Sequence, residues 1–291
     1  MKLNQLIGIL GALALAACDT DIEPIDQRFV ASDEQDPVAY AAYMDALRSY
    51  KQSEHYVVCA RFDNNPAKVT SEKESLRSVP DSLDIVMLAN PLSKFDREDL
   101  PGVQRKSTKV LLTADCSDPA TAVGKVDEAL ASVAADGLDG MVISYSGALT
   151  DAARTAEATI AQKLAALGGK TFVFSGNAAF VAAANRDRYA YYLLDATTTE
   201  NVYVLQSDID YLTGYLGIPA AKVIPAVTVS EMINDAQSQP QSAASVVAHT
   251  VMKSALGGIA LSGISGDYYD ASTIYPRVKA AIELLNPAHE K

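Results

Sequence analysis

Apolar runs of strand length recur along the chain at His55–Phe62, Leu83–Ala89, Lys109–Ala114, Leu138–Tyr145, Lys170–Ser175, Tyr189–Leu194, Lys222–Val229 and Gly258–Ile264. Between them lie segments with apolar residues at helical spacing, clearest at Ala120–Ala134, Thr150–Leu167, Val202–Leu216, Ala243–Leu256 and Ile274–Leu285. Val202, Leu205, Ile209, Leu212, Tyr215 and Leu216 share one helical face, so Val202–Leu205 reads as helix rather than strand. Strand-helix alternation predicts a parallel sheet, and eight units predict its closure. The expected fold class is α/β, a single (β/α)8 TIM barrel over residues 37–291, opened by an amphipathic helix through Tyr40, Tyr43, Met44, Leu47 and Tyr50.

Charge changes the picture before the first strand. Lys2 precedes an apolar run from Leu6 to Ala17 that is too short to span a bilayer and reads as a signal peptide over residues 1–17. From Asp19 to Asp36 seven acids face Arg28 alone, a net −6 out of −12 for the whole chain. With Pro24 and few apolar residues, residues 18–36 are expected to form an extended acidic tether. The remaining domain is only mildly acidic and offers no basic footprint for nucleic acid.

Candidate chemistry is sparse. His55, His249 and His289 show no metal-ligand spacing. Gly168-Gly169 and Gly257-Gly258 fall between a helix and a strand, where helix C-caps belong, and no cofactor motif is present. Cys59 and Cys116 lie on different strands or just past them, and two thiols are expected.

Two stretches resemble known families. Leu15-Ala16-Ala17-Cys18 has the form of a bacterial lipobox. That resemblance implies cleavage before Cys18 and acylation of its thiol, and several acyl chains anchor stably where one does not. An acidic run directly after the cysteine resembles the surface-export signal of Bacteroidetes lipoproteins. The expected location is therefore the outer membrane, at the cell surface, although a periplasmic spacer fits the same residues.

The second stretch, Asp136-Gly137-Leu138-Asp139-Gly140 continuing to Gly147, resembles the fourth barrel strand of glycoside hydrolase family 18, the chitinases and endo-β-N-acetylglucosaminidases. The family pattern reads Asp-Gly-hydrophobic-Asp-Gly-x-Asp-x-Asp-x-Glu, and its three later acids fall here on Val142, Ser144 and Ser146. The family's Glu protonates the glycosidic oxygen, and the Asp before it supports the substrate's acetamido group. A serine hydroxyl delivers no useful proton at neutral pH, so the resemblance implies a barrel without hydrolysis. Leu47-Arg48-Ser49-Tyr50-Lys51, Val79-Pro80-Asp81-Ser82-Leu83, Asp267-Tyr268-Tyr269, Ile274-Tyr275-Pro276 and Asn286-Pro287 extend the resemblance from about Leu47 to Pro287.

A barrel of this kind builds its site from the C-terminal strand ends and the loops after them. The polar candidates there are Arg61, Asp63, Asn64, Asn90, Asp115, Ser144, Tyr145, Ser146, Ser175, Asn177, Asp195, Thr197, Thr228, Ser262, Ser265, Asp267, Tyr268 and Tyr269. The chain has no tryptophan, which family members place on the last strand, so Tyr145, Tyr268 and Tyr269 are the expected aromatic platform. The leading expectation is a lipid-anchored protein that binds N-acetylglucosamine-containing glycans without cleaving them. The resemblance implies an outer-membrane transporter and partner lipoproteins as neighbours. Two alternatives stay open: hydrolysis by displaced carboxylates among Asp115, Asp195 and Asp267, or a scaffold with a degenerate pocket that contacts partner proteins.

Overall fold

The computed structural model describes residues 35–64, 69–269 and 273–287; the expected signal peptide, the expected acylation site Cys18 and most of the acidic segment lie outside them. From Tyr43 onward the described residues form one compact unit. The first helix, α1, spans Pro37–Gln52 and buries Met44 and Leu47. No helix among the described residues is long and apolar enough to cross a membrane.

Eight parallel strands close a barrel in sequence order: β1 Val57–Phe62, β2 Ile85–Leu88, β3 Lys109–Asp115, β4 Gly140–Tyr145, β5 Thr171–Gly176, β6 Tyr191–Asp195, β7 Val223–Thr228 and β8 Gly258–Ser262. β8 returns to β1 in parallel, Gly258 pairing Val57. Side chains alternate between two apolar layers, as a strand period of two requires. Cys59, Ile85, Met87, Leu111, Val142, Val173, Leu193, Ile224 and Ala260 fill the barrel interior. Their neighbours on each strand face the surrounding helices.

The helices are α2 Lys94–Arg105, α3 Pro119–Asp136, α4 Asp151–Ala165, α5 Val202–Asp210, α6 Ala243–Ser254 and α7 Pro276–Leu285. α5 runs on into a π-turn at Tyr211–Tyr215. Among the described residues the ring of helices is incomplete. β1 and β2 are joined through 3-10 turns at Glu72–Glu74 and Leu76–Ser78, and β5 and β6 through Ala178–Phe180 and Ala183–Arg188. A short antiparallel hairpin, Met232–Asn234 against Pro240–Ser242, interrupts the path from β7 to α6.

Two matched motif residues have structural duties at the start of β4. The Asp139 carboxylate accepts the Val110 N–H at 2.8 Å and a Gln104 side-chain N–H at 3.0 Å, stapling β4 to β3. A Cβ on Gly140 would lie 1.8 Å from the Thr171 carbonyl oxygen, so only glycine lets β4 and β5 approach. Asp84 repeats the Asp139 device two strands earlier, accepting the Val58 N–H at 2.8 Å. Cys59 and Cys116 are buried and unpaired, and burial pushes the Cys116 thiol up to about 12.

Candidate functional site at the barrel mouth

The interior cluster fixes the parity of every strand, and parity decides which polar residues face the mouth. On β4 the inner positions are Val142, then Ser144, then Ser146 in the following loop. The three positions where the family pattern carries acids are thus the three that face the axis. Val142 is 2% exposed inside the apolar cluster, so the deepest acid position has become part of the core. Ser144 is half-buried and pairs in register with Asp115 on β3 and Ser175 on β5.

Ser146 is held from one side. Its Oγ lies 2.9 Å from the Ser117 Oγ, and its backbone N–H donates to that same Ser117 hydroxyl at 3.1 Å. The next residue, Gly147, leaves no room for a side chain, since a Cβ there would sit 2.4 Å from the Ser117 carbonyl oxygen. The loops after β3 and β4 are therefore clamped together by small residues. Ser117 is the mouth residue that sequence reasoning missed; the signal for it is its place two residues past Asp115, in the loop next to Ser146.

The other inner strand ends are Arg61, Asp115, Asp195, Thr228 and Ser262 by the same alternation. Arg61 is exposed and pairs with Asp63 at 3.1 Å. Asp115 is exposed, and hydrogen bonds from the Ser117 side chain and backbone hold its carboxyl below the usual carboxylate range. Asp195 is bound to its own loop, accepting from the Thr197 N–H at 3.0 Å and the Thr197 hydroxyl at 2.7 Å. Thr228 and Ser262 face each other with hydroxyls 3.1 Å apart. Asn177 is exposed and caps a 3-10 turn by accepting the Ala179 N–H. The surface that results is rich in neutral donors and acceptors, with one guanidinium and a few carboxylates.

Other candidates have structural places. Tyr145 is corrected: it is 0% exposed on the outer face of β4, stacked on Phe180 at 4.0 Å, with its hydroxyl donating to the Ala148 carbonyl. A residue between two inner positions of a strand must point outward, and Tyr145 lies between Ser144 and Ser146. Asn64 is 1% exposed and is corrected likewise, its side chain stapled to the Asn90 backbone while the Asn90 amide donates to the Asn64 carbonyl. Asp267 is 1% exposed and caps α7, accepting the N–H groups of Arg277 at 2.9 Å and Val278 at 3.0 Å. Its carboxyl is committed to the helix rather than the mouth, which removes one of the three displaced acids.

Of the aromatic platform, Tyr268 is half-buried edge-on against Tyr275 at 5.2 Å. Tyr269 is 67% exposed, its hydroxyl 2.6 Å from the Ser71 Oγ. Among the described residues no cluster of His, Cys, Asp or Glu has the makings of a metal site.

A model of glycoside hydrolase family 18, BT1044-like, matches residues 20–112. The match ends within β3, so the acid positions of β4 lie outside it. No curated protein sequence matches the chain. Among solved structures, a variant of BT1044 is similar over 89% of this chain and 96% of that one, with a TM-score of 0.71 at 18% identity. An endo-beta-N-acetylglucosaminidase from Cordyceps militaris aligns over 84% of this chain and 96% of its own, with a TM-score of 0.64 at 17% identity. A chitinase-like agglutinin from Robinia pseudoacacia aligns over 77% and 98%, with a TM-score of 0.55 at 8% identity. The resemblance to family 18 and the TIM barrel both stand on these matches together with the closed eight-stranded sheet.

Proposed function

We propose that this chain is a non-catalytic, lipid-anchored barrel that binds N-acetylglucosamine-containing glycans at its mouth and presents them to an outer-membrane uptake system. The observation that carries the reading is the inner face of β4, where Val142, Ser144 and Ser146 occupy the axis without one carboxylate. A barrel that retains Asp139 and Gly140 for strand pairing while the inner face of β4 carries neutral groups keeps the fold without acids at the positions from which the family supplies the proton and the acetamido support. Neutral hydroxyls and amides at strand ends suit a neutral saccharide, whose hydroxyl groups are read by directional hydrogen bonds. The agglutinin neighbour gives a precedent for a chitinase-like barrel named for binding. The lipobox and acidic run support the anchored location.

The test is calorimetric titration of the protein with N-glycans and chito-oligosaccharides, followed by product analysis of the same mixtures. Saturable binding with intact sugars is expected, weakened by Thr228→Val with Ser262→Ala. Cleavage abolished by Asp115→Asn or Asp195→Asn would replace this reading with a hydrolase of displaced carboxylates. No binding across the panel would favour the protein-contact scaffold.

A further inference from the structure

At the opposite, N-terminal end of the barrel lies a cavity of about 260 Å³ whose chemistry a glycan site at the mouth leaves unused. Its floor is apolar, made by Val57, Ile85 and Tyr191, the first inward residues of β1, β2 and β6. Lys51, His55, Asp84 and Lys109 surround it.

The charge states follow from the hydrogen bonds. His55 Nδ1 lies 2.8 Å from the Ser53 carbonyl oxygen, and Nε2 lies 3.0 Å from Asp84 Oδ1. Neither a carbonyl nor a carboxylate donates, so this geometry favours hydrogen on both ring nitrogens, and the bond to Asp84 raises the His55 pKa above its ordinary value. Asp84 is thereby committed, one oxygen to His55 and the other to the Val58 N–H. Among the described residues neither lysine has a carboxylate in direct contact, and Asp84 and Asp81 act on Lys51 only from beyond ion-pair distance. Lys51 donates to the Leu83 carbonyl and the Thr108 hydroxyl, and Lys109 donates to the Thr171 hydroxyl at 3.1 Å. Among the described residues neither ammonium lies within ion-pair distance of a carboxylate.

Each ammonium has three hydrogens to donate, so Lys51 keeps one and Lys109 two for a ligand. Glu54 is the other carboxylate on the lining, exposed at the rim. Three cations thus face two carboxylates, one of which is already used. Burial lowers the Lys51 amine to about 8 although Asp84 and Asp81 act to raise it, a remaining desolvation cost that a bound anion would offset.

We propose that this cavity is an oxyanion site, taking a small free phosphate or carboxylate between the Lys51 and Lys109 ammonium groups. The site is separate from the mouth, and its existence does not depend on what the mouth binds.

The test titrates the intact protein with inorganic phosphate and, separately, with acetate, at an ionic strength held constant with chloride. Binding is read by calorimetry and by amide shifts in ¹H–¹⁵N spectra. Saturable binding of at least one anion is expected, with shifts confined to residues around His55, Asp84 and Lys109. Lys109→Met removes an exposed side chain with one neutral partner, so the fold should survive, and affinity should fall about tenfold or more. Lys51→Met should do the same and is checked for folding by circular dichroism; Arg61→Gln, at the mouth, should leave binding unchanged. Phosphate binding with acetate silent assigns the tetrahedral class, and the converse assigns the carboxylate class. No saturable binding of either anion would overturn the proposal, as would binding indifferent to Lys109→Met or lost in Arg61→Gln.

Discussion

At Gly140 and Val142 the same strand imposes two different demands. An added Cβ at Gly140 meets the Thr171 backbone, which cannot yield without parting β4 from β5. Gly140→Ala is therefore expected to cost about 3 kcal/mol or more, seen as a lower urea midpoint. Val142 packs among apolar neighbours in the interior cluster. Val142→Asp, which returns the family acid to its position, should destabilise by about 3 kcal/mol or more, because the charge would be buried unpaired. Ser146→Glu, at the exposed end of the same row, should change stability by less than about 0.5 kcal/mol. If instead Val142→Asp were neutral in urea unfolding, the interior would have to admit water that the packing excludes. The motif alone carries part of this information: acids spaced by two on a strand share one face, so Tyr145 between them must face away. What it does not carry is the depth of each position, which depends on how β4 pairs with β3 and β5.

Elements with strong periodicity are legible in this chain, and those defined by their partners are not. All eight strands and α3, α4, α6 and α7 fall within a few residues of the ranges expected from apolar patterning. α2 is polar and carries Pro101 and Gly102, so its sequence resembles a loop. It forms because Ser93 and Asp96 close a capping box at its start and because Leu100 and Val103 are buried. The hairpin before α6 and the 3-10 turns between β5 and β6 likewise have no periodic signal. α7 shows how far an element can depend on one residue. Tyr275 is left-handed just before Pro276, an unfavourable place for a bulky side chain. Its N–H donates to the Asp267 carbonyl while the Asp267 carboxylate takes the next two N–H groups. Asp267→Ala should cost about 2–3 kcal/mol by urea unfolding, by stranding those donors. Glycan binding by the folded fraction should be unaltered, whereas a catalytic or ligand-contacting Asp267 would lose activity or affinity as well. The junction of α1 with β1 and β2 has its own pH signature. The hydrogen bond to Asp84 is the main cause of the raised His55 pKa, so the pair contributes stability fully below the unfolded value of about 6.5. That contribution is lost as pH rises through the higher folded value. The urea midpoint should fall across this window, and His55→Gln should flatten that part of the curve; an identical slope in both proteins would exclude His55 as its source.

Across the whole molecule the polar groups are sorted to the two ends of one apolar barrel. Hydroxyls, amides and carboxylates gather at the C-terminal mouth, while the unpaired ammonium groups lie at the N-terminal end. Of the three tyrosines offered by the sequence as a sugar platform, Tyr145 is a fully buried core member and Tyr268 is half-buried, which leaves Tyr269 as the exposed ring. On the proposed reading a mouth poor in aromatic surface would hold a neutral glycan by hydrogen bonds, so raising salt from about 50 to 500 mM should barely change that affinity. An anion at the other end should respond strongly to the same change. Between the ends stand Leu111, Val142, Val173 and their neighbours, an apolar packed layer. A six-residue strand separates its ends by roughly 20 Å, beyond the distance at which independent sites usually couple. Titrating glycan in saturating phosphate should therefore return the same dissociation constant as without phosphate, within about twofold. A larger shift would mean that the barrel interior moves when one end is filled, and the apolar packing of Val142 would then be a hinge between two sites rather than a wall between them.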